Sequence, residues 1–298
     1  MVRRIARDDA AVSNLGVLVL LLVAVGLISA GWLYFFVPRP GEDPPLAQHG
    51  DRVAVNYIGY FQDTNLVFDT SLESVAEDNA TWRKAVSFTF RGTWQTYGFR
   101  LGDPADPQRP VPGFEDGIRR MAEGETREIP VPPDVGYGPM DPAKVVVRPI
   151  LESVPVRLTM NTTEFQVLYG TSPASGANVT DPLWGWPALV DVAGSVITVT
   201  NSPEIRQIVR PFDAWNAEVV AIHDTANGGD GTILVRHDVE TSMLDAVGGT
   251  SNGQAFYLSD VDIPEDDPDA GTYTLNFNRQ VVGRTLVFQV TLVTLLRL

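Results

Sequence analysis

The sequence contains no cysteine and is poor in histidine and lysine. The absence of cysteine excludes disulfides, thiolate catalysis and cysteine-ligated zinc. Histidine occurs only at His49, His223 and His237. These positions lack the spacing of metal ligands, so we expect no metal site. Lysine occurs only at Lys84 and Lys144, a bias that we attribute to overall composition and not to a site.

Basic residues as a whole are outnumbered. The 298-residue chain has 37 acidic and 22 basic side chains, which gives a net charge of −15. Nucleic-acid binding needs a basic face that contacts phosphates, so this balance argues against nucleic acid as a partner. Hydrophobic residues make up 44% of the chain, which is enough for one large core or two ordinary ones.

One long segment near the N-terminus contains no charge. Residues 15–37 read LGVLVLLLVAVGLISAGWLYFFV, and a helix needs roughly 20 apolar residues to cross a bilayer. Arginines precede this run and aromatic residues end it, which is typical of an anchor with a cytoplasmic N-terminus. The sequence therefore predicts a cytoplasmic segment at 1–13, a single transmembrane helix at 14–37 and an extracytoplasmic main domain, held at the cell membrane. A signal peptide cleaved near Ala30 is the alternative, but the apolar run continues past that point.

The main domain follows a polar, proline-rich linker at 38–50. Residues 51–61, DRVAVNYIGYF, alternate apolar and polar side chains as a strand does. Further on, Phe114, Ile118 and Met121 share one face of a predicted short helix, which Gly124 would cap at its C-terminal end. A second strand and a turn, TREIPVPPDVGYG, come next. This pattern indicates an α+β fold in which one helix covers one sheet.

The region between residues 139 and 280 has a different pattern, in which we predict no helix. A strand-like unit recurs there as GSVITVTN, GTILVRHD and GTYTLNFN, beginning at Gly194, Gly231 and Gly271. Two of the units follow a Trp-x-Ala-x-Val strand, at Trp186 and Trp215. Linked hairpins explain both halves of the unit, although a β-rich region also repeats such motifs by chance. We interpret this region as a separate β module.

Six motifs in a fixed order resemble those of the FKBP-type peptidyl-prolyl isomerases. They are VNYIG at Val55, LVFDTS at Leu66, YGFRLG at Tyr97, VPGFEDGIRRMAEGE at Val111, IPVPPDVGYG at Ile129 and the closing TLVFQVTLVTL at Thr285. The resemblance implies an FKBP-like antiparallel sheet wrapped on one short helix, built from 51–138 and 281–298. The C-terminal strand would complete the sheet that DRVAVNYIGYF begins. Residues 139–280 would be a β-rich flap insert, similar in place to the chaperone domain of SlyD-like and archaeal long-type members.

The resemblance also implies a proline-binding pocket without a cofactor. The implied substrate-binding residues are Tyr57, Phe68, Tyr97, Phe99, Val111, Phe114 and Phe288, and the implied catalytic residues are Asp69 and Tyr137. Two positions depart from the family pattern. Phe114 stands at the floor of the pocket, where the family usually has tryptophan, and Pro110 replaces a usual aliphatic residue.

The expected function is that of a membrane-anchored prolyl isomerase. Its partners would be unfolded or newly exported proteins that contain Xaa-Pro bonds, and the insert would hold them. The alternative is a non-catalytic chaperone or binding module on the same fold, which exposed side chains at Trp184, Trp186 and Trp215 would favour. A hydrolase finds little support, because candidate serines such as Ser71 have no histidine near them in sequence.

Overall fold

The computed structural model describes residues 44–251 and 253–297. The predicted membrane helix at 14–37 and the cytoplasmic segment at 1–13 lie outside these residues. Within them, no helix is both long and apolar enough to cross a bilayer. The described part is rich in antiparallel sheet and has few helices.

The first sheet is built from both ends of the described chain. Its five strands are β1 (Arg52–Phe61), β2 (Val67–Thr70), β3 (Tyr97–Arg100), β4 (Thr126–Val131) and β17 (Leu286–Leu296). β17 lies between β1 and β4, and its pairing with β1 runs from Arg52 opposite Leu296 to Phe61 opposite Leu286. The C-terminal strand therefore pairs with the strand that the sequence predicts. We call residues 44–138 and 281–297 the split domain.

The core of the split domain lies between this sheet and a short helix, α2 (Pro112–Ile118). Phe114, Ile118 and Met121 are buried, as their spacing predicts. The helix is shorter than predicted, because the backbone leaves the helical region at Arg119. The Arg127 guanidinium donates to the carbonyls of Gly117 and Arg119, at 2.9 and 3.3 Å, at this end of the helix.

The prediction that Gly124 caps α2 is therefore wrong. Gly124, with φ +84°, lies instead in the turn before β4, where its N–H donates to the Leu292 carbonyl.

Three further sheets lie between residues 139 and 280. Their strands are β5 (Val145–Pro149), β6 (Leu151–Pro155), β7 (Arg157–Met160), β8 (Asn178–Thr180), β9 (Pro187–Ala193), β10 (Val196–Asn201), β11 (Ile208–Val209), β12 (Ala217–His223), β13 (Thr232–His237), β14 (Gly248–Ser251), β15 (Gln254–Asp262) and β16 (Thr272–Asn276). The sheet orders are β7-β10-β9-β8, β11-β12-β13-β6 and β14-β15-β16-β5. The repeated units form the strands β10, β13 and β16, and each pairs with the strand before it. The predicted hairpins are thus confirmed.

The prediction that residues 139–280 contain no helix is wrong. We call these residues the insert, since in the sequence they lie between the two parts of the split domain. Helix α3 (Thr162–Tyr169) begins with a capping box, in which Asn161 and Glu164 bond each other's backbone N–H groups at 2.9 and 2.8 Å. It ends at Gly170, whose φ of 68° suits a left-handed cap. Only Phe165 of this helix is fully buried. A helix that buries one side chain needs no regular apolar face, which is why its sequence has little helical periodicity.

The three insert tryptophans lie in its interior. Trp184, Trp186 and Trp215 are 5%, 0% and 3% exposed. The Trp186 indole N–H donates to Asn201 Oδ1 at 3.0 Å, and that of Trp215 donates to His237 Nδ1 at 3.0 Å. These side chains stabilise the insert and are not available as an external apolar surface.

A buried polar group joins the insert to the split domain. Asp245 of the insert accepts hydrogen bonds at Oδ1 from Arg284 Nη1 at 2.7 Å and from Gln280 Nε2 at 3.0 Å. We call these three residues the junction cluster. The Val86 N–H donates to the Asp245 carbonyl at 2.8 Å, and the Ser87 N–H donates to Gln280 Oε1 at 3.1 Å. The cluster therefore also fixes the long loop 72–95, which contains helix α1 (Glu73–Glu77).

Candidate functional site

An open cavity of about 400 Å³ lies between the sheet of the split domain, α2 and the loop after β4. Its lining comprises Tyr57, Phe68, Asp69, Arg91, Tyr97, Arg109, Pro110, Val111, Phe114, Tyr137 and Phe288. Eight of the nine residues that the sequence predicts for a site are among them. We call this space the proline pocket, after the ring that its predicted role requires it to hold.

The floor and walls of the proline pocket are aromatic rings packed edge to face. Phe114 is 3% exposed, and its ring centroid lies 4.9 Å from that of Phe288 and 6.0 Å from that of Tyr57. The Phe68 and Phe288 centroids are 5.5 Å apart, at an interplanar angle of 88°. Edge-to-face pairs are a preferred aromatic geometry, so these rings hold one another in place. Phe114 is the most buried of these four rings.

Phe99 is the one predicted wall residue that does not line the pocket. It is 0% exposed, and its ring lies behind Tyr97 and Phe114, with centroids at 5.4 and 6.3 Å. Phe99 therefore supports the pocket from a second layer.

Gly59 makes the close packing of two wall rings possible. A Cβ at this position would lie 2.8 Å from the ring of Phe68 and 3.0 Å from that of Phe288. Gly59 thus lets both rings pack against the backbone of β1, where a side chain would displace them.

The polar side of the pocket is centred on Asp69. Tyr57 Oη donates to Asp69 Oδ2 at 2.7 Å, and Arg91 Nη2 donates to Tyr57 Oη at 2.9 Å. Arg91 also forms an ion pair with Asp69. Burial, followed by the charge of Asp69, raises the pKa of Tyr57 well above its usual range, so its hydroxyl stays protonated. Tyr57 and Arg91 hold the Asp69 carboxylate in one orientation at the rim.

Arg91 was not predicted from the sequence. It lies in the long loop 72–95, in the segment SFTFRGTW, where only its charge next to aromatic residues could have suggested a role. The ion pair with Asp69 is about two-fifths exposed on both sides, so its free energy is modest. Its structural effect is to bring the long loop against the pocket.

Tyr137 also lies at the rim, in a turn that glycine makes possible. Gly138 has φ +81°, its N–H donates to the Pro133 carbonyl, and its carbonyl accepts from the N–H of Gly283. Tyr137 is 38% exposed, and its hydroxyl has no hydrogen-bond partner among the described residues. Burial of the ring raises the pKa of Tyr137. Its hydroxyl therefore remains a donor that a ligand carbonyl can use.

The third side of the pocket is the N-terminal end of α2. Val111 is the N-cap residue, and its carbonyl accepts from the N–H groups of Phe114 and Glu115 at 3.1 and 3.2 Å. Its own N–H has no partner within the described part of the chain. Pro110 and Pro112 flank it and restrict the backbone on both sides. This leaves one backbone donor at the edge of an apolar pocket.

Glu115 holds the loop before α2 in place, and the sequence analysis missed it. Its side chain is 1% exposed, pairs with Arg109 at 2.9 Å and accepts from the N–H of Gly102. Tyr97 is held in the same region by a hydrogen bond from its hydroxyl to the Gln108 carbonyl. Burial, then the nearby Asp106, raises the pKa of Tyr97 to about 12.

This arrangement suits binding of a small apolar ring next to a carbonyl group. The rings of the floor and walls exclude water, and Tyr137 and the Val111 N–H offer donors at the rim. In the described residues, no group of three or more His, Asp or Glu side chains is placed to hold a metal ion. The lining residues offer apolar contact, hydrogen-bond donors and the held carboxylate of Asp69.

Comparison with known proteins links part of this chain to one enzyme family. Residues 44–167 match the family model of the FKBP-type peptidyl-prolyl cis-trans isomerases. FK506-binding protein 2 of Yarrowia lipolytica is 33% identical over 107 residues, which cover 36% of this chain and 58% of that protein. The short-type peptidyl-prolyl cis-trans isomerase of Methanocaldococcus jannaschii is 31% identical over 96 residues, 32% of this chain and 54% of that protein. The chain thus spans somewhat more than half the length of each relative, and its similarity to this isomerase family lies in residues 44–167.

Proposed function

We propose that this protein catalyses cis–trans isomerisation of Xaa-Pro bonds in other proteins, and that it does so outside the cytoplasm from a membrane anchor. The observation that carries the catalytic part is the proline pocket, in which aromatic rings, a held carboxylate and free donors meet at one rim. The family match of residues 44–167 supports the same activity.

The pocket explains how rotation about the prolyl amide is accelerated. The barrier is roughly 18–20 kcal/mol, because resonance stabilises the planar amide. Catalysis must therefore favour the twisted amide over the planar one. The rings grip the proline while the rest of the substrate chain rotates. Each 1.4 kcal/mol or so of selective stabilisation of the twisted state gives about a tenfold gain in rate.

Polar groups at the rim supply this selectivity. In the twisted amide the carbonyl group loses conjugation with nitrogen, so its carbon becomes more positive. Asp69, held by Tyr57 and Arg91, places negative charge beside that carbon. The Tyr137 hydroxyl donates to a substrate carbonyl, and the Val111 N–H binds the peptide backbone. Removal of water by the rings strengthens these interactions.

The membrane anchor rests on sequence alone. Residues 15–37 are uncharged and long enough to span a bilayer, and arginines precede them. Placed after this anchor, the isomerase domain would meet newly exported chains. Extraction of membranes at alkaline pH, with protease added to intact cells, tests both points. Release of the protein from the membrane, or protection of its main domain, would contradict the proposal.

We do not extend the proposal to a client-holding insert. Exposed tryptophans would have favoured that role, and Trp184, Trp186 and Trp215 are buried. The same finding weakens the alternative of a non-catalytic chaperone. The likeness of the insert to the chaperone domain of SlyD-like proteins stays a prediction.

The decisive experiment measures catalysed exchange of an Xaa-Pro peptide by the purified full chain. We expect acceleration, with a strong loss in Tyr137→Phe and Asp69→Ala. Arg206→Gln, which alters an exposed side chain outside the pocket, is the control and should retain the rate. A folded protein that does not accelerate the exchange would overturn the catalytic proposal.

A further inference from the structure

A second cavity of about 450 Å³ adjoins the proline pocket. The two share Phe68, Asp69, Arg91 and Tyr137, so they form one continuous space around the rim. The remaining lining residues of the second cavity are Ser87, Thr89, Arg279, Gln280 and Val281. The first two come from the long loop and the last three from the chain that returns from the insert. We call this second space the flanking cavity.

The flanking cavity contains one charge without a partner. Asp69 and Arg91 neutralise each other in their ion pair. Arg279 is exposed and forms no ion pair within the described residues. Its guanidinium lies 5.4 Å from the centroid of the Tyr137 ring, a cation–π contact that places the charge beside the catalytic rim. The net local charge is thus positive in a chain whose total charge is −15.

The walls of the flanking cavity are held in place before any ligand binds. Gln280, next to Arg279, is 4% exposed and bonds both Asp245 and the Ser87 N–H. The junction cluster thereby fixes the backbone that carries Arg279 and the loop that carries Ser87. A preformed wall costs a ligand less ordering entropy than a mobile one.

We propose that the flanking cavity binds the substrate residues adjacent to the proline and that Arg279 selects an acidic side chain there. This inference rests on the proposed isomerase function, because the substrate chain must continue from the proline pocket past Tyr137. A carboxylate matches the planar fork of an arginine and can accept two hydrogen bonds from it.

The overall negative charge of the protein does not prevent this selection. At physiological ionic strength, charges are screened over about 8 Å, so distant acidic residues contribute little at the cavity. A substrate carboxylate in contact with Arg279 lies well within this screening distance. The preference should therefore weaken as salt is added and should act mainly on binding, because Arg279 does not touch the rotating amide.

The test uses the full chain and three peptides that differ only in the residue before proline, which is Glu, Gln or Lys. A second set varies the residue after proline. We expect kcat/KM to fall in the order Glu, Gln, Lys in one of the sets, with about a three- to tenfold span for a partly exposed charge contact. Most of the span should be in KM. In high salt the span should shrink.

Variants separate the role of Arg279 from general effects. Arg279→Gln should remove the difference between the Glu and Lys peptides, and Arg279→Glu should reverse it. Arg206→Gln removes another exposed arginine, outside both cavities, and should keep the ratio. Equal rates for all three peptides in both sets, or an unchanged ratio in Arg279→Gln, would overturn the selectivity. Failure to accelerate even the Gln peptides would instead overturn the proposed isomerase function.

Discussion

The geometry of the junction cluster indicates that the charge of Asp245 stabilises the contact between the insert and the split domain. Asp245 is 4% exposed, its backbone has φ +59°, and its carboxylate bonds Arg284 and Gln280. Asp245→Asn keeps the shape, one acceptor oxygen and the tolerance for this backbone conformation, but removes the charge. The measured loss of stability therefore reports the ion pair.

The magnitude follows from what Arg284 retains. A hydrogen bond to a charged group contributes about 1.5–3 kcal/mol, and an unpaired buried charge costs about 3–5 kcal/mol. Arg284 keeps its contact with Asp63, and its guanidinium lies 4.0 Å from the centroid of the Phe61 ring. We therefore expect Asp245→Asn to lower the free energy of unfolding by about 2 kcal/mol, near the lower end of the range for a hydrogen bond to a charged group. Asp245→Ala should cost about 1–2 kcal/mol more, because alanine does not favour a positive φ.

Urea unfolding, followed by tryptophan fluorescence, measures these losses. Asp213→Asn is the matched control, since Asp213 also has a positive φ of 55° but is exposed. A double-mutant cycle with Arg284→Gln should give a coupling energy of about 1–2 kcal/mol. A loss below about 0.5 kcal/mol in Asp245→Asn, together with no coupling to Arg284, would refute the reasoning.

Three other predictions concern single features of the fold. Gly59→Ala should lower isomerase activity strongly, because the new Cβ would displace two pocket rings. Gly98→Ala, whose Cβ would meet only one carbonyl at 3.6 Å, is the control and should keep the activity. Catalysed exchange of an Xaa-Pro peptide compares the two variants. Burial raises the pKa of Tyr57 and Tyr273 above the ordinary value of 10.0. The stability that these two hydroxyls contribute is therefore complete below pH 10 and declines as the pH rises further. Urea unfolding midpoints that stay constant above pH 10 would contradict this. Asn161→Ala should destabilise the insert by about 1 kcal/mol through loss of the capping box, and an unchanged urea midpoint would count against it.

The order of motifs predicted most of the proline pocket, but not its depth. Tyr97 and Phe99 are two positions apart on β3 and share one face, so alternation cannot tell which ring reaches the surface of the pocket. The structure places Tyr97 at the surface and Phe99 behind it. Depth depends on how far the neighbouring helix covers the strand, which only tertiary packing decides.

Contacts between segments far apart in the chain were the other feature that sequence patterns could not predict. Arg91 meets Asp69 because the long loop folds back along β2, and nothing in the local pattern specifies that path. Similarly, nothing in the segment LWGWP indicates which sheet covers it, yet Trp184 and Trp186 are buried in the core of the sheet β11-β12-β13-β6. Helix α3 has clear start and stop residues, and these, not its weak periodicity, could have revealed it.

The central place of β17 in its sheet also bears on synthesis by the ribosome. Chains emerge from N- to C-terminus, and domains tend to fold as they become complete. The insert emerges in full before β17 does, whereas β1 and β4 must wait for β17 to join them. We therefore expect the insert to fold first and the proline pocket, which needs Phe288, to close last. During translation the nascent protein would carry a finished module after β1 and β4, two strands that still lack the partner that joins them, and the proline pocket would stay incomplete until β17 is made.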